Sequence, residues 1–280
     1  MRPRLLRRFA LNATGIAVFA LSVFPVFWMV STAFKPNDEI FSSTPHPLPE
    51  HPTVRHFHDV LTGRIAEVAF WEYFRNSLIL AVVTVVVSGL LALLAATAIA
   101  RYRFRFRTTF MVLLLVVQMV PLEALVIPLF LDARRLQLLN SLAGLAAVYI
   151  AFAVPFAILM LRGFVAAVPK ELEEAAAIDG AGPVRTFFTV LLPLVAPGLV
   201  ATSIFSFITA WNEFIFAYTF LDDQDKFTLP IMLQYYFGHN STAWGPIMAA
   251  STLLTVPVIV FFLLVQRRMV SGLTAGAVKG

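Results

Sequence analysis

The sequence contains no cysteine, and only 13% of its 280 residues are charged. The absence of cysteine excludes disulfide bonds and thiolate metal sites. The low charged fraction and the mean hydropathy of +0.83 exclude an ordinary soluble domain, because a chain of this length cannot hide so much apolar surface from water. A lipid bilayer is therefore the expected solvent.

Several chemical motifs are also missing. No G-x-x-x-x-G-K-[ST] phosphate-binding loop is present, so we do not expect the chain to hydrolyse ATP. The apolar segments offer no nucleophile elbow and no metal pair, which makes a membrane-embedded enzyme a poor hypothesis. We expect no catalytic residue, no cofactor and no metal site. No internal repeat is evident, which counts against a self-contained secondary transporter.

Six apolar runs are long enough, at about 20 residues or more, to cross a bilayer as helices. They are Leu11–Phe34, Ser77–Ala100, Thr108–Leu131, Leu142–Leu161, Gly198–Phe220 and Gly245–Leu264. The first run is too long for a signal peptide and lacks a convincing cleavage site, so it reads as an uncleaved span. The prediction is an all-α, six-span domain at 11–264, with terminal tails at 1–10 and 265–280.

Lysine and arginine predict the orientation. If the N-terminus is cytoplasmic, the inside segments carry 14 of the 21 basic residues and the outside segments carry seven. Such a bias places both termini in the cytoplasm. The motif RYRFRFR at 101–107 joins two spans and is too short for a nucleic-acid surface, so we interpret it as a topology and headgroup anchor and expect no nucleic-acid partner.

The first external loop, Lys35 to Asn76, is rich in proline and predicted to be irregular. It holds four of the five histidines, at positions 46, 51, 56 and 58. Their spacing matches no ligand pattern, so we interpret them as solvated loop residues.

The second cytoplasmic loop, 162–193, contains the acidic, alanine-rich stretch PKELEEAAAIDGAGP. Pro169 suits a first helical turn, and Gly180 suits the left-handed position that ends a helix. Pro183 can start a second helix running toward Pro193. The stretch therefore predicts a helix, a sharp turn and a second helix.

Three interpretations of this helix–turn–helix, called the bracket below, compete. A helix lying on the membrane surface would favour lysine and arginine, and this one is acidic. A passive linker would not need three alanines. Leu172, Ala175, Ala176 and Asp179 share one face by their spacing, and small side chains allow another backbone to come close. We therefore favour the interpretation that this short helix is a docking site for a soluble partner.

The segment EEAAAIDGAGPVRTFFTVLLPLVAPGL resembles the EAA signature of permease subunits of bacterial ATP-binding-cassette importers. The matching positions are Glu174, Ala175, Ala176, Asp179, Gly180, Ala181, Leu192, Pro193 and Pro197. Five further stretches look similar to the maltose-type carbohydrate branch of this family, so the resemblance covers nearly the whole chain. They are RNSLILAVVTVV, AIARYRFR, WNEFIFAYTFL, TLPIML and QRRMVSGLTAGAVKG.

The resemblance implies a multi-pass protein of the bacterial inner membrane that imports a di- or oligosaccharide. It implies that residues Glu174, Ala175, Ala176, Asp179, Gly180 and Ala181 couple the chain to an ATPase. The implied partners are a second permease subunit, an ATP-binding-cassette ATPase dimer and an extracytoplasmic solute-binding protein. The tail Ser271–Gly280, which physics alone predicts as a frayed end, is implied to touch the ATPase.

Polar residues within the predicted spans are candidates for a solute path, because such residues are costly in lipid. They are Gln118, Glu123, Asn212 and Glu213, with Tyr149 and Trp211 as the aromatic side chains expected to stack on sugar faces. The alternative is that they hydrogen-bond neighbouring helices or extend toward the interface. A rival function from another class is a self-contained ion-coupled carrier that uses Glu123 and Glu213 as proton sites. A second rival is a scaffold that only anchors an ATPase.

Overall fold

The computed structural model describes residues 2–64, 68–237 and 242–277, with side chains described from 8 to 266 outside those gaps. In these ranges no β-strand occurs, and the one isolated bridge joins Phe237 to Thr242. The helices are α1 Arg2–Ala33, α2 Asn37–Ile40, α3 Arg55–Leu61, α4 Phe70–Arg101, α5 Arg107–Gln118, α6 Val126–Arg135, α7 Leu142–Ala167, α8 Glu171–Ile178, α9 Pro183–Thr186, α10 Leu192–Asn212, α11 Ile215–Phe220, α12 Leu229–Met232 and α13 Trp244–Ala277.

The all-α prediction is confirmed. Five helical segments in the described chain are long and apolar enough to cross a membrane, and a bent pair makes a sixth candidate. Helices α4, α7 and α13 cover the second, fourth and sixth predicted runs, and α1 covers all but the last residue of the first. The sequence predicts a frayed tail, but α13 is helical as far as Ala277, and residues 278–280 lie outside the described chain.

The third predicted span is not one straight helix. Helix α5 ends at Gln118, and a 3-10 turn at Leu122–Leu125 leads into α6, with a bend of 92° between the two halves. Pro121 lies at the break. Proline lacks an N–H and disfavours a helical conformation in the residue before it, so the helix stops there.

The fifth predicted span begins earlier and ends earlier than expected. The second cytoplasmic helix was predicted to stop near Pro193, but α9 continues through a π-helical segment, Phe187–Leu191, into α10. A π segment carries a wider turn and is a known way for a helix to accommodate irregular hydrogen bonding, here just before Pro193. Helix α10 ends at Asn212, so Gly198–Phe220 is not one helix.

The chain divides into two compact units, one formed by Met1–Phe70 and Met232–Val256 and one by Trp71–Ile231 and Pro257–Gly280. The second unit contains a buried apolar cluster drawn from α4, α5, α7, α10 and the π segment. Its members are Ala92, Leu93, Ala96, Ile99, Leu114, Ala157, Ile158, Leu161, Val165, Val168, Leu191 and Val195. Helices α7 and α10 approach closely there, because a Cβ at Gly198 would lie 2.2 Å from the ring of Phe164.

The proline-rich loop of the first unit, predicted to be irregular, contains two short helices and a buried histidine. The loop forms α2 and α3, and His56 is buried rather than solvated, with its Nε2 2.9 Å from the carbonyl of Lys35. A Cβ at Gly245 would lie 2.3 Å from the His56 ring, so the glycine makes room for it. The other three loop histidines are exposed, as predicted. The described residues hold no group of three or more metal-ligating side chains.

A polar clasp holds the segment that follows α11. Asn140 donates from its amide to Asp223 at 2.6 Å and accepts from the Asp223 N–H at 3.1 Å. Lys226 donates to the same Asp223 carboxylate at 2.8 Å. Hydrogen bonds from Lys226 and then from Asn140 lower the pKa of Asp223. The clasp fixes the chain between α11 and α12.

Candidate functional site: the acidic helix and two span breaks

Helix α8 is the short acidic helix that the sequence predicts. It begins at Glu171, two residues after Pro169, and it ends in a Schellman motif. The Ala181 N–H donates to the Ala176 carbonyl at 2.9 Å, and the Gly180 N–H donates to the Ala177 carbonyl at 3.0 Å. Gly180 has φ +80°, which confirms the predicted left-handed stop.

One side of α8 is open to solvent. Leu172 is 45% exposed and Ile178 is 87% exposed, and Glu174, Ala175 and Asp179 are exposed as well. Ala176 and Ala181 are half-buried. A small helix that leaves its apolar side chains uncovered has the character of a docking surface.

The exposed apolar surface continues into the helix that follows. Val184 is 71% exposed and Phe188 is 60% exposed. Reasoning from the alanine-rich stretch alone missed these two residues, although both are large apolar side chains in a loop predicted to lie in water.

The opposite side of α8 is joined to the spans by an ion pair. Arg101, the last residue of α4, donates from Nε to Oε1 of Glu173 at 2.6 Å and from Nη2 to the carbonyl of Val168 at 2.9 Å. The two partners are far apart in sequence, so no spacing rule could predict the pair. The sequence predicts only a topology anchor for the RYRFRFR motif, and the structure adds this contact for its first residue.

Glu213 forms the break in the fifth span. Its carboxyl oxygens accept from the backbone N–H groups of Phe216 and Ala217, at 2.8 and 3.0 Å. They also accept from the Tyr149 hydroxyl at 2.6 Å. The first two bonds satisfy donors at the start of α11 that would otherwise have no partner. Glu213 therefore acts as a cap between α10 and α11, fixed by a tyrosine from α7.

The two span breaks meet at a small cavity of about 30 Å³. Its lining includes Leu122 from the first break, Glu213 from the second, Tyr149 and several hydroxyl side chains: Thr84, Ser206 and Thr209. A space of this size holds about one water molecule. Phe152, Ala153, Ala210 and Phe216 make the rest of the lining apolar, and the cavity is too small for a sugar.

The predicted path residues fall into two groups. Gln118, Glu123 and Asn212 are exposed and lie beside the two breaks. Tyr149 is buried and bonded to Glu213. Trp211 is fully buried and packs on Phe207 at 5.4 Å between ring centroids.

The chain matches a family described as binding-protein-dependent transport system inner membrane component, over residues 88–274. The diacetylchitobiose uptake system permease protein DasC of Streptomyces coelicolor is 46% identical over 283 residues and covers all of both chains. The trehalose/maltose transport system permease protein MalG of Thermococcus litoralis is 35% identical over 282 residues, again with both chains fully covered.

A solved chain has a similar fold. It comes from a bacterial ABC transporter involved in the import of the acidic polysaccharide alginate, and it matches with a TM-score of 0.79 at 22% identity, over 95% of this chain and 98% of that chain. The family match covers more than half of the sequence, and both relatives span all of it. The chain therefore belongs to the family of inner membrane components of binding-protein-dependent transport systems, as a multi-pass permease subunit of an ATP-binding-cassette importer.

Proposed function

We propose that this permease subunit imports a di- or oligosaccharide together with a second permease subunit, an ATPase dimer and an extracytoplasmic solute-binding protein. The relatives named for diacetylchitobiose and for trehalose and maltose support a short glycan as the solute. An alginate transporter of similar fold was solved in complex with an alginate pentasaccharide-bound periplasmic protein, which supports an external binding protein as a partner.

The proposed topology follows the distribution of basic residues. Both termini are cytoplasmic, the transmembrane domain spans 11–264, and the tails are 1–10 and 265–280. The loop 162–193 then faces the cytoplasm, where α8 meets the ATPase dimer. The C-terminal segment 271–280 is a second proposed contact with the ATPase.

One observation carries the coupling role. Helix α8 is held in shape by its own Schellman motif, yet Leu172 and Ile178 stay uncovered. In this proposal Glu174, Ala175 and Ala176 enter a cleft on the ATPase, and the turn from Asp179 through Gly180 to Ala181 fixes the angle at which the helix projects.

The permease does not itself hydrolyse ATP in this proposal, because the sequence has no phosphate-binding loop. The solute path passes the two span breaks, where Gln118, Glu123 and Asn212 are exposed. Broken helices at membrane depth are tolerated where they line a cavity or lie buried in protein. Glu213 and Tyr149 support this region without contacting the solute, since their polar groups are used in the hydrogen bonds that hold α11.

The test of coupling uses two glycines of the same turn. Gly180→Val places a β-branched residue at φ +80°, which costs about 1–2 kcal/mol of strain. Gly182→Val is the control, because Gly182 has φ −69° and a Cβ there meets nothing within 4 Å. We expect both variants to insert normally, and only Gly180→Val to stop sugar uptake and to lose the ATPase in a pull-down. Normal uptake by Gly180→Val would contradict the coupling role.

The solute and the energy source are tested in proteoliposomes that hold the whole complex. Uptake of labelled disaccharides should require ATP and the binding protein and should survive collapse of the ion gradients. The family supports this ATP-driven function, not the ion-coupled carrier that would use Glu123 and Glu213. Uptake by the permease alone, abolished by an ionophore, would contradict the proposal.

A further inference from the structure

We propose that Arg101 is the residue that ties the coupling helix α8 to the ends of the second and fourth spans, so that a displacement of α8 is transmitted to both. The proposal rests on the proposed function, since it takes α8 as the helix that the ATPase moves. It assigns a positioning role to an arginine outside the EAA-like stretch.

The guanidinium of Arg101 joins three elements at one point. Its Nε and Nη2 both lie 2.6 Å from Oε1 of Glu173, in the first turn of α8. Its Nη2 also donates to the carbonyl of Val168 at 2.9 Å, directly after the last residue of α7. Arg101 itself is the last residue of α4. One side chain therefore connects the end of the second span, the end of the fourth span and the coupling helix.

This connection is stiff for three physical reasons. The Arg101 side chain is only 8% exposed, so water does not compete strongly for its donors. A guanidinium is planar and holds its N–H groups in a fixed fork, which a lysine cannot reproduce. Arg101 lies at the C-terminal end of one helix and Glu173 near the N-terminal end of another, so both helix dipoles favour the charges where they are.

The pair is the main polar link on this side of α8. Among the described residues, Glu173 is the one side chain of α8 with a hydrogen bond or ion pair to another element. A cavity of about 260 Å³ lies beside the pair and is lined by Thr97, Tyr102, Ala177 and Thr186 among others. Close packing does not bridge this gap.

The spans behind the pair are closely packed by contrast. Ile99, Leu161, Val165 and Val168 belong to the buried apolar cluster and are each at most 8% exposed. A push on α8 reaches the fifth span through the continuous chain from Pro183. It reaches the second and fourth spans through the Arg101 guanidinium, which donates to the carbonyl of Val168, a member of this cluster.

The neighbouring charges supply matched controls. Arg103 lies two residues beyond Arg101 and is exposed, and Glu171 lies two residues before Glu173 and is exposed. Neither makes an ion pair among the described residues. If net charge or topology were what matters, substitutions at these positions would have the same effect as substitutions at the pair.

The experiment measures four quantities on the full complex: membrane abundance, co-purification of the ATPase, sugar uptake, and stimulation of ATP hydrolysis by solute-loaded binding protein. For Arg101→Met and Glu173→Gln we expect normal abundance, normal co-purification, uptake lowered at least tenfold and stimulation lost. Arg101→Lys should retain part of both activities. Arg103→Met and Glu171→Gln should stay within twofold of the wild type. Glu173→Gln keeps the side-chain volume and leaves α4 unaltered, so it remains informative if Arg101→Met fails to accumulate.

Uptake and stimulation within twofold of the wild type in Glu173→Gln and in any accumulating Arg101 variant would overturn the proposal. Loss of ATPase co-purification in these variants would also overturn it, because the pair would then shape the docking surface rather than transmit movement. Gly180→Val in the same assay separates the two proposals. If it stops uptake while the pair variants do not, only the role of Arg101 is wrong; if it transports normally, the coupling role of α8 has failed.

Discussion

The third and fifth spans are both broken near polar residues, but the two breaks have different causes. In the third span Pro121 lies at the break, where its ring and missing N–H stop α5, and the chain turns by 92°. In the fifth span no proline or glycine lies between Trp211 and Phe216. The helix stops there because the Glu213 carboxyl group captures the N–H groups of the next helix.

The difference shows two ways of ending a helix inside a membrane. A proline has no N–H, so the break has one donor fewer to satisfy. A carboxyl cap supplies an acceptor, so the break depends on three hydrogen bonds, including one from Tyr149. In lipid an unsatisfied backbone group is expensive, and the second kind of break is therefore more vulnerable to substitution.

The largest expected effect is that of Glu213→Leu. It leaves the N–H groups of Phe216 and Ala217 and the Tyr149 hydroxyl without their acceptor, at about 1–3 kcal/mol for each buried group. We expect the free energy of unfolding in detergent to fall by several kcal/mol and the membrane abundance to drop sharply. An unchanged melting temperature would show that the carboxyl group does not hold the break.

An intermediate effect is expected for Tyr149→Phe. The substitution removes one hydrogen bond to Glu213 and leaves both backbone bonds of the cap in place. The expected loss of unfolding free energy is about 1 kcal/mol. The measurement is thermal unfolding of the purified variant beside Glu213→Leu, and a loss as large as that of Glu213→Leu would mean that the tyrosine, not the cap, fixes α11.

The smallest effect is expected for Glu123→Leu at the other break. The Glu123 side chain is exposed on the 3-10 turn, and among the described residues its carboxyl group accepts no hydrogen bond. We expect a change in unfolding free energy within about 0.5 kcal/mol, as for ordinary surface substitutions. A loss similar to that of Glu213→Leu would remove the distinction between the two breaks. Sugar uptake by the same variant tests separately whether Glu123 contacts the solute.

These two breaks also show what the sequence could predict. Pro121 is visible as a helix breaker, but its consequence, a bend rather than a mild kink, depends on how α6 packs. The stretch WNEF contains no breaker, and Glu213 looks like a polar residue within a span. Only the position of Tyr149 and the start of α11 reveal it as a cap.

The acidic helix was more predictable than the contacts around it. Its stop at Gly180 follows from local chemistry, because glycine is suited to a left-handed residue after a helix. The Arg101–Glu173 pair depends on the meeting of the end of α4 with the start of α8, which are distant in sequence, and no local rule specifies it. The predicted start of the fifth span is wrong because the preceding helix does not end near Pro193; the π segment carries it into α10.

The π segment Phe187–Leu191 has a consequence for the angular phase of the long helix. An α-helix advances by about 100° per residue, so one residue more or fewer rotates everything beyond it by that angle. The segment therefore sets the direction in which Glu213 points at one end, relative to the direction in which the α8 bracket leaves at the other. Deleting one residue there would leave the residues at both ends unchanged, but it would rotate Glu213 by about 100° relative to α8.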